Sequence, residues 1–259
     1  MSPSPPAKDP GGPLTAARPA IPHAVRAGEI PSAEAVEGLL RDLGSRLRRG
    51  GGPTDRTEVG ARLATGLPDI DRLLDGGFPR GCLSEIAGPT SSGRTSLALA
   101  LLAHATRLGE VVAAVDTADA FDPVSAEAAG VALERVLWVR PATAADATRC
   151  CERLLRAHGF ALVLLDLAAG VARPLPVATW QRLARAAAAS GTALTVLSLT
   201  RVTGALSDLA LEMRPARAHF SGMPSLLEGL EIEARVVRHR TGPTQRAASV
   251  RLHVASRAA

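Results

Sequence analysis

Segment 88–96 constrains the fold of this chain more than any other feature. It reads Gly-Pro-Thr-Ser-Ser-Gly-Arg-Thr-Ser and matches the phosphate-binding pattern G-x-x-x-x-G-K-[ST], with Arg94 in place of the lysine. An apolar run, 82–87, precedes it, and a helix-forming run, 97–105, follows it. A strand, a glycine-containing loop and a helix in that order predict a phosphate loop in an α/β fold.

The expected roles within this phosphate loop follow from its geometry. Gly88 and Gly93 let successive N–H groups turn toward a phosphate, and the next helix adds its positive N-terminal end. The hydroxyl of Thr95 is the expected ligand of Mg²⁺. We therefore predict that ATP and Mg²⁺ bind to Gly88, Pro89, Thr90, Ser91, Ser92, Gly93, Arg94, Thr95 and Ser96.

Arg94 alters this expectation. A forked guanidinium does not simply replace a compact ammonium at a tight site, so we expect nucleotide binding to survive better than fast hydrolysis. Lys8 is the only lysine among the 30 basic residues, so arginine has replaced lysine throughout the chain. Drift and functional loss both remain open as explanations of Arg94.

Apolar segments alternate with helical ones, which predicts a mainly parallel sheet with helices on both faces. The expected strands are 82–87, 111–116, 136–140, 161–166 and 192–200, and the expected helices are 95–108, 123–129, 144–158 and 178–190. Segments 208–213, 230–239 and 247–254 read as antiparallel strands at one edge. Asp166 ends the run 161–166, where a second carboxylate near Mg²⁺ is expected in a nucleotide-binding sheet.

The N-terminal part differs in composition from the rest. Residues 1–31 are rich in proline and alanine and predict a disordered leader. Segment 32–49 predicts a helix capped by Ser32, with an apolar stripe that packs on a neighbour or on the core of its own chain. We expect a glycine-rich linker at 50–56 and the core domain at 57–259.

Charge and cysteine content limit the class of protein. The net charge is +5, and the stretch 214–259 carries eight arginines against three glutamates, which predicts a surface for nucleic acid or nucleotide phosphates. The three cysteines have neither metal-site spacing nor an even number for disulfides, which suits a reducing compartment. With no membrane-length apolar run and no secretory signal, we expect a cytoplasmic protein.

Several segments, in the same order, resemble the ATPase core of the RecA family. They are 65–74, 76–81, the phosphate loop, and 116–123 followed by 129–131. The resemblance covers most of residues 60–255. It implies an α/β RecA-like P-loop NTPase core, with a mainly parallel sheet flanked by helices and antiparallel strands at one edge.

The resemblance also exposes what this chain lacks. At the position matched by Ala118, RecA recombinases carry a glutamate that orients the attacking water. Asp119, the next residue in the chain, is the candidate substitute. Loss of general-base help costs about 10²–10⁴-fold in rate, so efficient ATP hydrolysis is not expected. The γ-phosphate-sensing glutamine is matched by Leu199 or Thr200, and only short segments replace the two DNA-binding loops.

One late match concerns two arginines. Segment 235–243 resembles the RecA strand whose paired lysines reach the nucleotide of the adjacent subunit, with Arg238 and Arg240 at those positions. The resemblance implies that they contact a phosphate across a subunit interface or the backbone of DNA. A solvated strand face with alternating arginines is the other interpretation.

A RecA-like core with these departures and a helical N-terminal extension resembles ImuA-type proteins. The resemblance implies an accessory factor of damage-induced translesion synthesis in the SOS response. Its implied partners are a Y-family polymerase-like protein and an error-prone polymerase, with single-stranded DNA, RecA or further copies of the chain as additional ones. Two alternatives remain: a divergent DNA-dependent ATPase or recombinase, in which Arg94 is the phosphate cation and Asp119 the base, and a KaiC-like or RadA-like regulatory ATPase.

Overall fold

Strands and helices alternate along the described part of the chain. A computed structural model describes residues 20–46, 62–167, 174–222 and 226–253. The strands are β1 His23–Ala24, β2 Arg62–Leu63, β3 Phe78–Pro79, β4 Leu83–Ala87, β5 Val111–Asp116, β6 Val136–Val139, β7 Phe160–Asp166, β8 Ala193–Ser198, β9 Leu209–Ser221, β10 Leu226–His239 and β11 Ala247–His253. The α-helices are α1 Ala33–Arg46, α2 Pro68–Leu73, α3 Arg94–Arg107, α4 Pro123–Ala128, α5 Ala144–Ala157 and α6 Val177–Ser190.

Nine of these strands form one sheet in the order β1-β6-β5-β7-β8-β4-β9-β10-β11. Every neighbouring pair from β1 to β9 is parallel, whereas β9–β10 and β10–β11 are antiparallel. The predicted fold class is therefore confirmed, including the antiparallel edge. The parallel arrangement brings the carboxyl ends of β4, β5, β7 and β8 to one edge of the sheet, where ligands bind in open α/β folds.

Helices cover both faces of the parallel strands because these strands are apolar on both sides. On one face, Leu97 and Leu101 of α3 pack with Ile86 and Leu211 of the sheet. On the other face, α5 and α6 bury the second cluster, which includes Cys150, Cys151, Leu154, Trp180 and Leu183. The two layers fix β4 at the centre and hold the phosphate loop at its carboxyl end.

The predicted N-terminal leader is wrong for residues 20–31. Residues 23–24 form β1, which pairs in parallel with β6. The N–H of Val25 donates to the carbonyl of Trp138 at 2.8 Å, and the N–H of Gly28 donates to that of Arg140 at 2.6 Å. Pro22 favours disorder in the sequence pattern, but proline is tolerated beside an edge strand. Residues 1–19 and the predicted linker 50–56 lie outside the described residues.

Helix α1 packs on its own chain. Its predicted cap is confirmed, since the Ser32 hydroxyl oxygen accepts the N–H of Ala35 at 3.0 Å. Val36 is buried in the cluster that α5 and α6 share, and the side chain of Leu40 lies over Gly159, within 3.3 Å of where a Cβ would be. The apolar stripe of α1 therefore serves the core of its own chain in this structure.

Strand β9 runs further than the sequence predicts. The expected strand 208–213 continues to Ser221 because β10 supplies partners beyond the end of β4. Pro215 interrupts the sequence pattern, but it lies next to a register shift in the β9–β10 pairing, where a proline is accommodated. No helix in the described ranges is long and apolar enough to cross a membrane.

Candidate nucleotide site

The phosphate loop joins β4 to α3, and its two glycines have no room for a side chain. Gly93 has φ +81°, and a Cβ there would lie 2.8 Å from Cδ1 of Leu252. A Cβ on Gly88 would lie 2.6 Å from the carbonyl oxygen of Met213. The loop backbone thus passes close to β9, β10 and β11, so the antiparallel edge helps to hold the loop in shape.

Arg94 folds back onto the loop that precedes it. Its Nη1 donates to the carbonyl oxygens of Gly88 and Pro89, each at 2.6 Å. One guanidinium therefore bridges two carbonyls at the start of the phosphate loop and holds them together. The sequence motif predicted where Arg94 lies but not this contact.

Two buried polar atoms of the loop have no hydrogen-bond partner among the described residues. They are Oγ of Ser92 and Nε of Arg94. Buried donors without partners are rare in native proteins and point to a missing ligand or water. Together with the glycine backbone and the N-terminus of α3, these atoms fit the phosphates of a nucleotide.

The two residues predicted near Mg²⁺ lie at the same edge of the sheet. Thr95 is exposed in the first turn of α3, and Asp166 ends β7, which β8 separates from β4. The backbone N–H and the hydroxyl of Thr117 both donate to the carbonyl of Asp166, which fixes the end of β7. One hydroxyl and one carboxylate are typical of a Mg²⁺ whose other ligands are phosphates and water.

The acidic side chains at the end of β5 and in the segment after it make local contacts. The buried carboxylate of Asp116 accepts the N–H groups of Ala118 at 3.1 Å and Phe121 at 2.8 Å and so shapes this turn. Asp119 has φ +53°, and its Oδ1 lies 3.6 Å from Nη1 of Arg140, just beyond β6. This ion pair places Asp119 toward β6, which lies on the opposite side of β5 from β7, β8 and β4.

Arg238 and Arg240 lie at the opposite edge of the sheet. Nε of Arg238 donates to the carbonyl of Ser207, and Nη1 of Arg240 donates to Oδ1 of Asp208 at 3.0 Å. The N–H of Asp208 donates to the carbonyl of Leu83, so this group lies at the amino end of β4. The two arginines are therefore not placed to reach a nucleotide on their own phosphate loop. Their contact with a neighbouring subunit or DNA stays a prediction.

Sequence reasoning missed Glu85, which is completely buried in the middle of β4. Its carboxylate accepts hydrogen bonds from the connection between β8 and β9, including the N–H of Val202 at 2.6 Å. The sequence did contain a signal for this site, because an acidic residue inside an apolar strand needs buried hydrogen-bond partners. A pocket of about 290 Å³, which sequence reasoning also missed, lies between this connection and the phosphate loop.

A phosphate loop at the carboxyl end of a central parallel strand, with a threonine hydroxyl and a strand-terminal aspartate at the same edge, is the arrangement typical of P-loop domains. The sequence matches the RecA N-terminal domain family over residues 43–208, and the chain belongs to that family. The RecA-like assignment made from the motifs is thereby confirmed.

Individual relatives agree with this family. The chain is 41% identical over 120 residues to protein RecA of Chloroflexus aggregans, covering 44% of this chain and 34% of that protein. It is 38% identical over 128 residues to protein RecA of Prochlorococcus marinus, covering 49% of this chain and 34% of that protein. The matches thus span about a third of the length of these relatives.

A solved structure shows the same fold. The crystal structure of the RadB recombinase superposes with a TM-score of 0.58 and 24% sequence identity, over 73% of this chain and 95% of that one. At this identity the likeness defines the architecture alone. It supports a RecA-type sheet with an antiparallel edge, in agreement with the strand order described above.

Proposed function

We propose that this protein is a nucleotide-binding accessory factor of DNA repair, of the ImuA type, which acts in damage-induced translesion synthesis. The observation that carries the proposal is a complete phosphate-loop backbone combined with Ala118 at the position of the RecA glutamate. This combination favours a protein that binds ATP and hydrolyses it weakly or not at all. The family itself supports a role in recombination or repair.

The chain's own residues divide the task of nucleotide binding. The backbone of the phosphate loop and the N-terminus of α3 would hold the phosphates, with Ser92 and Arg94 as further donors. Thr95 and Asp166 would hold Mg²⁺, which supplies positive charge at the phosphates when it is bound. Without a carboxylate at Ala118, no residue of this segment would orient a water for attack, so bound ATP would persist.

The connections between strands and helices support an accessory role over recombination. Residues 167–176 join β7 to α6, and residues 199–208 join β8 to β9. Both are short, and the second donates backbone hydrogen bonds to the carboxylate of Glu85. A short connection that is held by hydrogen bonds is poorly suited to the movement that a DNA-binding loop would need during an ATP cycle.

We propose a Y-family polymerase-like protein and an error-prone polymerase as the partners, with single-stranded DNA or RecA as further ones. The resemblance to ImuA-type proteins supports this choice. Because the apolar stripe of α1 packs on its own core, the partner would bind another surface. Size-exclusion chromatography of the full chain with a purified Y-family polymerase homologue tests the proposal, and separate elution at micromolar concentrations would contradict it.

The second candidate is a divergent DNA-dependent ATPase. Intact Gly88 and Gly93, the exposed Thr95 and the placement of Asp166 favour it. The deciding experiment measures ATP binding and hydrolysis with Mg²⁺, with and without single-stranded DNA. Binding without DNA-stimulated turnover supports the accessory factor, whereas stimulated turnover supports the ATPase.

A double variant sharpens this experiment. Restoring the RecA residues with Arg94→Lys and Ala118→Glu should create hydrolysis if the chain is a drifted ATPase whose site is otherwise intact. An accessory factor with short connections should stay inactive. The single variant Ala118→Glu is the matched control, since it adds the carboxylate without changing the phosphate cation.

A further inference from the structure

The two edges of the nine-stranded sheet differ in how they are protected. One edge is β1, which has only two residues and directly follows Pro22. The other edge is β11, which has seven residues, contains no proline and carries one charged side chain, that of Arg251. Short length, proline and charge are the usual features that keep the edge of a sheet from pairing with another chain. The β1 edge therefore has more protection than the β11 edge.

Strand β11 is also regular. Its pairing with β10 runs from Ala247 to His253 without a register shift, whereas the β9–β10 pairing contains three. Bulges twist an edge away from further pairing, so a regular edge stays open to another strand. Helix α2 packs against one face of β11 and not along its edge. Because β11 is the last strand of the sheet, its outer edge has no strand partner among the described residues.

The backbone groups that face this outer edge follow from the hydrogen bonds to β10. The N–H of Val236 donates to the carbonyl of Arg246 at 2.8 Å. In an antiparallel pair the residues that exchange such bonds recur at every second position, so the even-numbered residues of β11 direct their N–H and C=O groups to β10. The odd-numbered residues, such as Ser249 and Arg251, direct theirs to the open edge.

This edge is complementary to that of a second copy of the chain. In an antiparallel pair centred on Val250, every residue of β11 has a partner, and Ser249 of one copy lies opposite Arg251 of the other. Odd-numbered residues then oppose odd-numbered ones, so the outward N–H and C=O groups can all be paired. A pair centred on Arg251 would oppose two like charges, and one centred on Ser249 would use only residues 247–251.

The apolar face of β11 fits the pairing centred on Val250. Val250 and Leu252 belong to the first hydrophobic cluster, and Ala248 packs against it. In this register Val250 would meet its own equivalent, and Leu252 would meet Ala248 of the second copy. The apolar core of one copy would therefore continue into that of the other.

The charged face fits the same register. Arg217, Glu231 and Arg251 lie in one row across β9, β10 and β11. The row would continue in the second copy with Ser249 and then Glu233. The signs of the charges alternate along this row and no like charges lie opposite each other, which favours cross-strand pairing.

We propose that β11 is a self-association surface, at which two copies of this chain pair edge to edge about a twofold axis at Val250 and join their sheets. Both copies use the same surface, so the assembly closes as a dimer and does not extend into a filament. The interface lies next to the phosphate loop, because Cδ1 of Leu252 is 2.8 Å from where a Cβ on Gly93 would be. The inference does not depend on nucleotide binding.

Sedimentation velocity of the full-length protein at micromolar concentrations tests the proposal, and we expect a species of twice the mass of the chain. Ser249→Pro removes one outward N–H from each copy, a substitution that an edge strand tolerates when this N–H has no partner inside the sheet. It should raise the dissociation constant of the dimer at least about 100-fold. The matched control, Ser249→Ala, removes only the hydroxyl that donates to Oε1 of Glu231 at 2.7 Å and should change it less than about threefold.

Ser249→Arg is a second variant, which leaves the backbone unchanged. In the proposed register it places an arginine opposite Arg251 of the other copy at two symmetric points, so it should also yield monomers. Circular dichroism identifies the variants that fold, and Ser249→Arg decides if Ser249→Pro does not. A monomeric wild type would overturn the proposal, and so would a dimer that persists unchanged in either folded variant.

The register is tested by cross-linking. The Cα atoms of a non-hydrogen-bonded antiparallel pair are about 4.5 Å apart, within the range of a disulfide. Val250→Cys should therefore form a disulfide between two copies on mild oxidation, whereas Ala248→Cys should not, because it would lie opposite Leu252. The wild type, with its native cysteines, gives the background. Equal cross-linking of the two variants, or none above background in Val250→Cys, would overturn the pairing centred on Val250.

Discussion

Gly93 shows how the phosphate loop depends on single residues. Its φ of +81° lies in the left-handed region, and a Cβ would meet Leu252 at 2.8 Å and Ile232 at 2.9 Å. Gly109 has nearly the same φ, +84°, with nothing within 4 Å of a Cβ. The two glycines therefore separate the cost of backbone strain from the cost of a steric clash.

We expect Gly93→Ala to destabilise the protein more than Gly109→Ala. Both variants should lose about 1 kcal/mol through left-handed strain, and Gly93→Ala should lose about 1–3 kcal/mol more through overpacking. Urea unfolding monitored by circular dichroism measures both values. Equal losses would show that Leu252 and Ile232 move aside without cost.

The thiol of Cys82 provides a pH-dependent test, again at the scale of a single residue. Burial raises the pKa of the Cys82 thiol to about 11, with the nearby carboxylate of Asp208 acting in the same direction. Because the thiolate is the nucleophile, we expect alkylation of Cys82 in the native protein at pH 8 to be about 100-fold slower than for an ordinary thiol, rising as the pH approaches 11. Mass spectrometry after iodoacetamide treatment, with urea-unfolded protein as the control, measures this. Rapid native labelling at pH 8 would contradict the raised pKa.

At the scale of elements, α1 behaves as part of the core. Val36 of this helix is buried against α5 and α6, so we expect Val36→Ala to lower the free energy of unfolding by about 1–3 kcal/mol, because it removes buried apolar surface and leaves a cavity. Glu37→Ala, at an exposed position on the same helix, is the matched control and should change it by less than about 0.5 kcal/mol. If the two variants unfold at the same denaturant concentration, α1 contributes no packing energy.

The sequence predicted the parallel strands and their helices to within a residue or two, because each is a continuous apolar or helical run. It could not predict β1, whose two residues form a strand only because they pair with the edge of β6. The same contrast holds for the site. The phosphate loop was found because its residues are contiguous, whereas Glu85 contacts Ser198 across 113 residues of sequence, a pairing that only the fold creates.

At the scale of the whole molecule, exposed arginines lie on the strands of the antiparallel edge and just beyond them. Arg240 is largely exposed despite its contact with Asp208, and Arg214 and Arg217 are exposed along β9. These positions belong to the antiparallel edge, so a nucleic acid bound there would run along β9 and β10. Arg214 and Arg235 pair with glutamates on their own strands, which reduces the charge available to phosphates.

We therefore expect binding of single-stranded DNA to be indifferent to sequence and to weaken with salt, since each neutralised phosphate releases counterions. The double variant Arg238→Ala with Arg240→Ala should lower the slope of log affinity against log salt by about 0.7 for each phosphate that the protein no longer neutralises. Fluorescence anisotropy over a range of salt concentrations measures the slope, and Arg214→Ala with Arg217→Ala provides the comparison on β9. If only the β9 pair changes the slope, DNA binds along β9 and the pair at the amino end of β4 has another role; if neither does, the C-terminal arginines form a solvated face.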